Sequence, residues 1–386
     1  MLDSFLTIPQ VVLICVQRFG MSLGPEENGM LYLPFGLLCS IGGDRMSTAL
    51  SIGLALGAVI LAAYAFVGGF ALTRVSNTRT EAKRAERIIA ESDAVFASCA
   101  ATGETSFTVL VENNKLSVLD TIEVSHGISI LVERNGSAFL MDLGKDELYS
   151  KNAGALGKDL SQVGFAFISH GHADHGGALE HFLNSNPTAP IYASERAMLD
   201  KHFVRIGRVI RKEISLDASL ADRFPGRFKF AAFTTEIFPN VFVVPAINRQ
   251  HRMPAGNKRL LKEASGHIAP DDFDHEQLLV LRDTDGLIIF SGCCHRGVLN
   301  AMDTVRAEFP DAPIKAVIGG FHLFDSARAK LAEHPDNVRD LGQAMLASER
   351  TLYVTGHCTG TEAYDILKAI LGDRLAYASA GRQFRL

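Results

Sequence analysis

An apolar run, VGFAFIS, leads directly into the hexapeptide HGHADH and then into GGALEHFLNS. The first segment reads as a β-strand from its length and its aromatic content. The last reads as a helix, so the unit is strand, turn and helix, the repeating element of an α/β fold. Its turn carries His170, His172, Asp174 and His175. Turns at strand ends are where a rigid scaffold presents reactive side chains. In extended backbone alternate residues share a face, so His170 and His172 point to one side and can bind one ion. The turn then presents Asp174 and His175 about one ion-spacing away. Imidazole and carboxylate suit zinc, and iron or manganese as well.

The surrounding chain repeats this texture. From about Thr105 the stretches SFTVLVENN, GISILVERNGSAFLMDLG and QVGFAFISH read as strands, followed later by NVFVVPAI, QLLVLRDTDGLIIFSG, PIKAVIGG and TLYVTG. Hairpins come first, then strands alternating with helical stretches such as ARAKLAEH. That order predicts a four-layer αββα sandwich over residues 105–386. With 47% hydrophobic residues the chain can fill such a core. A net charge of -5 excludes an ordinary nucleic-acid binder. The six cysteines (15, 39, 99, 293, 294 and 358) lack the spacing of a disulfide framework, which points to a reducing compartment.

The N-terminal third is different material. No residue from Met46 to Thr73 is charged, and roughly 20 apolar residues suffice to cross a bilayer core. Small residues, including Gly53, Gly57 and Ala62, stud this run, as in membrane helices. A single transmembrane helix is therefore expected over 46–73. Arg74, Arg79, Lys83, Arg84 and Arg87 outweigh Arg45 and Arg18 on the other flank, which places the C-terminal domain in the cytoplasm. Residues 1–45 have little pattern, and Met46 itself opens the run, as a misassigned start would. Residues 74–104 read equally as a juxtamembrane helix or a solvated linker.

HGHADH has the HxHxDH pattern and resembles the metallo-β-lactamase superfamily. LMDLG at 140–144, FSGCCHRGVLN at 290–300, IGGFHLF at 318–324 and GHCTG at 356–360 resemble one branch of it, the dihydropterin-(ribofuranosyl)aminobenzene-phosphate synthase-like proteins. The resemblance covers roughly residues 106–386. It implies two divalent metal ions, zinc foremost. His170 and His172 would hold the first, with a third ligand from His295, or from His267 or His275 upstream. His295 is favoured because it follows the strand GLIIFSG, with Cys293 on the same face. Asp174, His175 and His357 would hold the second ion, with Asp142 supporting from behind. The superfamily's bridging Asp is replaced here by Cys293, which leaves open a thiolate ligand, a small buried residue and a one-metal form. His322 ends an apolar strand and reads as a ligand, a proton donor, a substrate contact or a core histidine. His126 is a rim or structural residue.

The implied chemistry is hydrolysis by a metal-activated water, with Asp174 accepting its proton. The segment from about 195 to 275 carries Arg205, Arg208, Arg211, Lys212, Arg249, Arg252, Lys258, Arg259 and Lys262, among Asp217, Asp222 and Asp271. A basic lid suggests an anionic small-molecule substrate such as a phosphoester; esters and lactones are the other candidates. The branch also implies a condensing synthase that joins a pterin to a ribofuranosylaminobenzene phosphate. A non-catalytic metal-binding sensor is the third reading.

Overall fold

A computed structural model of the chain describes residues 43–96, 105–116, 119–207, 210–348 and 350–386. Within Phe70–Leu386, which forms one compact unit, two seven-stranded sheets face each other. In the first, the strands run in the order Gln383–Arg385, Thr105–Val111, Ser129–Arg134, Ser137–Met141, Val163–Phe167, Ile191–Ala193, Phe228–Phe230. In the second the order is Leu375–Tyr377, Leu352–Thr355, Ile314–Ile318, Gly286–Phe290, Leu278–Asp283, Val241–Val244, Thr235–Phe238.

Alternation along each strand builds three apolar layers. Phe107, Val109, Phe139 and Phe167 of the first sheet meet Leu279, Leu281, Ile288 and Phe290 of the second in the central layer. Leu110, Leu140 and Ile168 face the other way, onto Tyr149, Leu179 and Phe182 from helices Leu148–Ala155 and Leu179–Ser185. Leu278, Val280 and Ile289 face outward onto helices Val298–Glu308, Pro335–Leu346 and Thr361–Leu371. Central strands buried on both faces explain why they read as unbroken apolar runs. The αββα sandwich expected for residues 105–386 is the architecture observed.

The strands from Ser137 to Phe230 in the first sheet pair in parallel, as do those from Gly286 to Tyr377 in the second. Their carboxyl ends deliver the HGHADH turn, the turn with Cys293 and His295, the loop with His322 and the turn with His357. In α/β sheets the crevice outside these carboxyl ends is the usual ligand site.

The segment expected as a lid divides: Phe228–Phe230, Thr235–Phe238 and Val241–Val244 join the large sheets, and the rest forms a small sheet ordered His267–Pro270, Leu260–Ala264, Lys201–Ile206, Ile210–Glu213.

Gly43–Phe96 is one helix. Among the described residues no helix is long and apolar enough to cross a membrane. The transmembrane expectation for 46–73 falls partly on side chains outside the described residues, namely those of 43–58, 61 and 66. Residues 1–42 and 97–104 lie outside the described residues altogether. Of residues 74–104, 74–96 are helical, and part of one face of that helix packs on the domain. Ala85, Ile88 and Ile89 are buried, the two isoleucines in one cluster with Tyr364 and Leu367. Arg87 donates to both carboxylate oxygens of Asp365, at 2.6 and 2.7 Å. Glu81 accepts the Thr361 N–H at 2.6 Å, satisfying a helix N-terminus that Gly360 cannot cap with a side chain.

Candidate metal centre

Five histidines and one aspartate converge at the carboxyl ends of the parallel strands. His170 Nε2 lies 3.0 Å from His172 Nδ1 and 3.3 Å from His295 Nε2. This trio is the first half of the centre. In the second half, Asp174 Oδ2 lies 3.3 Å from His357 Nε2 and 3.8 Å from His175 Nε2. Cys293 Sγ sits 3.1 Å from His175 Nε2. All five imidazoles are buried.

Four of the five rings are oriented by a partner on the far side. Asp142 accepts the Ser169 N–H on Oδ1 and the Ser169 hydroxyl on Oδ2, both at 2.8 Å, and its Oδ2 lies 2.6 Å from His175 Nδ1. A carboxylate only accepts, so His175 keeps its proton on Nδ1. The Ser169 hydroxyl, its proton committed to Asp142, accepts from His170 Nδ1 at 2.9 Å. Asn257 Oδ1 lies 3.0 Å from His295 Nδ1, and Asn113 Oδ1 lies 3.1 Å from His357 Nδ1. Four rings therefore turn Nε2 inward, and His172 turns Nδ1 inward. His170 and His295, both protonated on Nδ1, face each other with Nε2 atoms 3.3 Å apart, and two lone pairs at that separation repel unless a cation or a proton lies between them. Zinc–nitrogen bonds of about 2.0–2.1 Å in tetrahedral array set donor atoms about 3.3 Å apart. The donor set fits a divalent ion in the first half, and in the second His357, held at Nδ1 by Asn113, turns Nε2 toward Asp174.

Two further carboxylates hold the backbone beneath the ligands. Glu276 accepts the His295 N–H at 2.6 Å and the Arg296 N–H at 2.9 Å. Glu112 accepts the His357 N–H and, at 2.6 Å, that of Asn114. His357 has φ +50, a conformation costing a non-glycine residue on the order of 1 kcal/mol, which this clamp helps hold. Burial pushes both carboxyls up to about 7. Gly292 lies so close to Ser169 that a Cβ there would overlap its hydroxyl.

The electrostatics suit cation binding. Burial and the neighbouring imidazoles hold His170, His172 and His295 well below the usual histidine range, in the neutral form a ligand needs. Burial also works against a charged His175, but Asp142 and Asp174 outweigh it and push His175 up to about 9. A potential that draws a proton so strongly draws a metal ion likewise. Enclosure opposes ionisation of Asp174, yet His175, His357 and His126 hold it well below the usual carboxylate range.

The remaining sequence candidates divide. His322, φ +50, lies tilted against His295 with ring centroids 4.1 Å apart and planes inclined at 52°, and its Nδ1 has no hydrogen-bond partner. His126 is half-exposed at the opposite rim, its Nε2 3.4 Å from Asp174 Oδ2. Cys294 faces away, into the outer core. His267 is exposed on the small sheet. His275 is buried but belongs to a neighbouring cluster with His202 and Asp271, both missed from the sequence. Glu112 and Glu276 were missed too; the one local signal was an acidic residue embedded beside apolar strand sequence. Four of the lid cations are paired with carboxylates. Lys262 bonds Asp272 and Asp274, and Arg249, Arg252 and Arg259 pair with Asp272, Glu333 and Asp325. Arg208 lies outside the described residues.

The metallo-β-lactamase superfamily profile matches residues 124–369. The chain belongs to the metallo-β-lactamase superfamily. One superfamily relative is the 7,8-dihydropterin-6-methyl-4-(β-D-ribofuranosyl)-aminobenzene-5′-phosphate synthase of Methanocaldococcus jannaschii, 27% identical over 252 residues, 62% of this chain and 82% of the relative. The crystal structure of a metal-dependent hydrolase of the β-lactamase superfamily is similar with a TM-score of 0.62 at 29% identity, covering 73% of this chain and 99% of that one.

Proposed function

We propose that this superfamily member is a metal-dependent hydrolase of a phosphoester, carboxylic ester or lactone, with a first ion on His170, His172 and His295 and a second on Asp174, His175 and His357. The single observation carrying the reading is the convergence of His170 Nε2 on His172 Nδ1 and His295 Nε2 at 3.0 and 3.3 Å, with His170 and His295 each fixed by a partner behind the ring. Bound divalent ions there supply Lewis acidity and an activated water. The chain's own groups do the rest. Asp174, 23% exposed in its side chain, accepts the attacking water's proton on the oxygen not engaged by the histidines. His322, unpartnered at Nδ1 beside His295, faces the leaving group as proton donor. Cys293 takes the place of a bridging carboxylate and contributes its sulfur to the second half. An anionic substrate draws less support from the lid, where several basic side chains are already paired. The uncharged run over 46–73 supports a membrane-attached chain with a cytoplasmic catalytic domain, testable by alkaline extraction of membranes.

A condensing synthase is the second reading, favoured by the 27% identity to a synthase over 252 residues. The deciding experiment loads chelator-treated chain with zinc, manganese or iron and assays single esters against paired pterin and ribosyl-arene phosphate substrates. Turnover of a lone ester supports the hydrolase; pyrophosphate or phosphate release that requires both substrates overturns it. His170→Ala and Asp174→Ala should each lose bound metal and turnover, and full retention of both in either variant refutes the site.

A further inference from the structure

Beside the centre lies a second buried cluster, His172, His202, Asp271 and His275, with one donor atom of each within 4.8 Å of the others. Its proton positions argue against a cation cage. His275 Nδ1 accepts the Gly171 N–H at 3.0 Å, so its proton lies on Nε2, 3.2 Å from Asp271 Oδ2. With one nitrogen accepting and the other protonated, a neutral ring keeps no lone pair for an ion. Asp271 Oδ2 also lies 3.2 Å from His202 Nδ1, and its Oδ1 accepts the Phe273 N–H at 2.7 Å. His202 therefore donates from Nδ1 and keeps its lone pair on Nε2. That Nε2 is buried without a hydrogen-bond partner.

His172 mirrors it. Its Nδ1 faces His170, so a ligating Nδ1 leaves the proton on Nε2, and this Nε2 is also buried and unpartnered. The two ring centroids are 5.5 Å apart. An unsatisfied donor and an unsatisfied acceptor on adjacent buried rings complement each other. The backbone holds them in register: Ile214 accepts the Ala173 N–H and donates to the His202 carbonyl, both at 2.8 Å. Gly171 completes the fit, because a Cβ there would come 2.5 Å from His202 Nε2.

We propose that Asp271 is a positioning residue for the first half of the centre, acting on the His172 ring through His202 and on the Gly171 backbone through His275. The inference rests on the metal-centre reading above. Histidine ligands are commonly oriented by a carboxylate or carbonyl on the far nitrogen, and losing such a partner typically costs 10–100-fold in metal affinity. Here the carboxylate is one imidazole further away.

The test uses the full chain, stripped with chelator and titrated with zinc against a chromophoric competitor that resolves two affinities. His202→Leu removes the acceptor, Asp271→Asn replaces an acceptor oxygen with a donor, and His202→Gln restores an acceptor for His172. The expected result is a 10–100-fold loss in the first half's affinity for His202→Leu and Asp271→Asn, an unchanged second half, and substantial recovery in His202→Gln. If the leucine variant does not fold, the other two carry the comparison. In ¹⁵N-histidine spectra of zinc-loaded wild type, His172 should hold its proton on Nε2. Equal loss in both halves, or no loss in either, overturns the proposal and leaves the metal reading standing. A third zinc equivalent that disappears in His202→Leu overturns it in favour of a cation site. A wild-type chain that binds no zinc overturns both readings.

Discussion

Replacing Asp142 by asparagine would test the support beneath the second half of the centre with almost no change of shape. Asp142 is fully buried at φ +56, a conformation that asparagine tolerates well, so the backbone is not the variable. Oδ1 would still accept the Ser169 N–H. The second position, now an amide, faces the Ser169 hydroxyl and His175 Nδ1, which lie 2.8 and 2.6 Å from Oδ2. An N–H there donates to Nδ1, drives the imidazole proton onto Nε2 and removes the lone pair that the second ion needs. Loss of a carboxylate behind a ligand typically weakens metal binding 10–100-fold, or about 1.4–2.7 kcal/mol. The upper part of that range applies here, because the same change removes one of two charges lifting His175. Competition titration should show the second ion weakened by about 30–100-fold and the first nearly unchanged, with turnover falling in parallel. Unchanged affinity and turnover in a folded Asp142→Asn chain would refute the tautomer reasoning for the whole centre.

Two further outcomes are expected. In the metal-free chain His175 should titrate near 9 in ¹⁵N-histidine spectra. A histidine raised from 6.5 contributes stability that is fully present below pH 6.5 and lost as pH climbs through 9. The 2.5-unit difference amounts to about 3 kcal/mol. An ordinary midpoint near 6.5 would contradict the charge balance described. Ile88→Ala should destabilise the chain by about 2–4 kcal/mol in denaturant unfolding, since Ile88 is 1% exposed within the outer core, with metal affinity unchanged. A negligible change would mean that the helix is not docked in solution.

The grouping of the candidate ligands within the HGHADH turn was legible because sequence proximity is spatial proximity there. His295 and His357 were legible for a related reason: each follows an apolar run, and parallel strands deliver their carboxyl ends to one crevice. Glu112, Glu276, His202 and Asp271 were not. A lone polar residue beside a strand reads as ordinary solvent-facing alternation, and only the packing of the second sheet and the small sheet encloses it. The charge balance of the lid was only partly legible for the opposite reason: Asp272, Asp274, Asp325 and Glu333, some far along the chain, pair with four of its cations on folding. Residues 74–96 were ambiguous because Ile88 and Ile89 form no long apolar stripe, and their partners lie almost 280 residues away.

The docking of that helix bears on where the catalytic body can be cut. A chain begun at Thr105, the boundary that sequence texture recommends, would lack the side chains that roof the outermost helical layer. It would leave Tyr364 and Leu367 without two of their apolar neighbours, and Thr361, four residues beyond His357, without its acidic cap. Such a fragment would be prone to self-association and would hold the last ligand turn loosely. A soluble preparation faithful to the intact enzyme has to start near Phe70, and weak zinc uptake by shorter pieces would reflect the missing roof rather than an incompetent site.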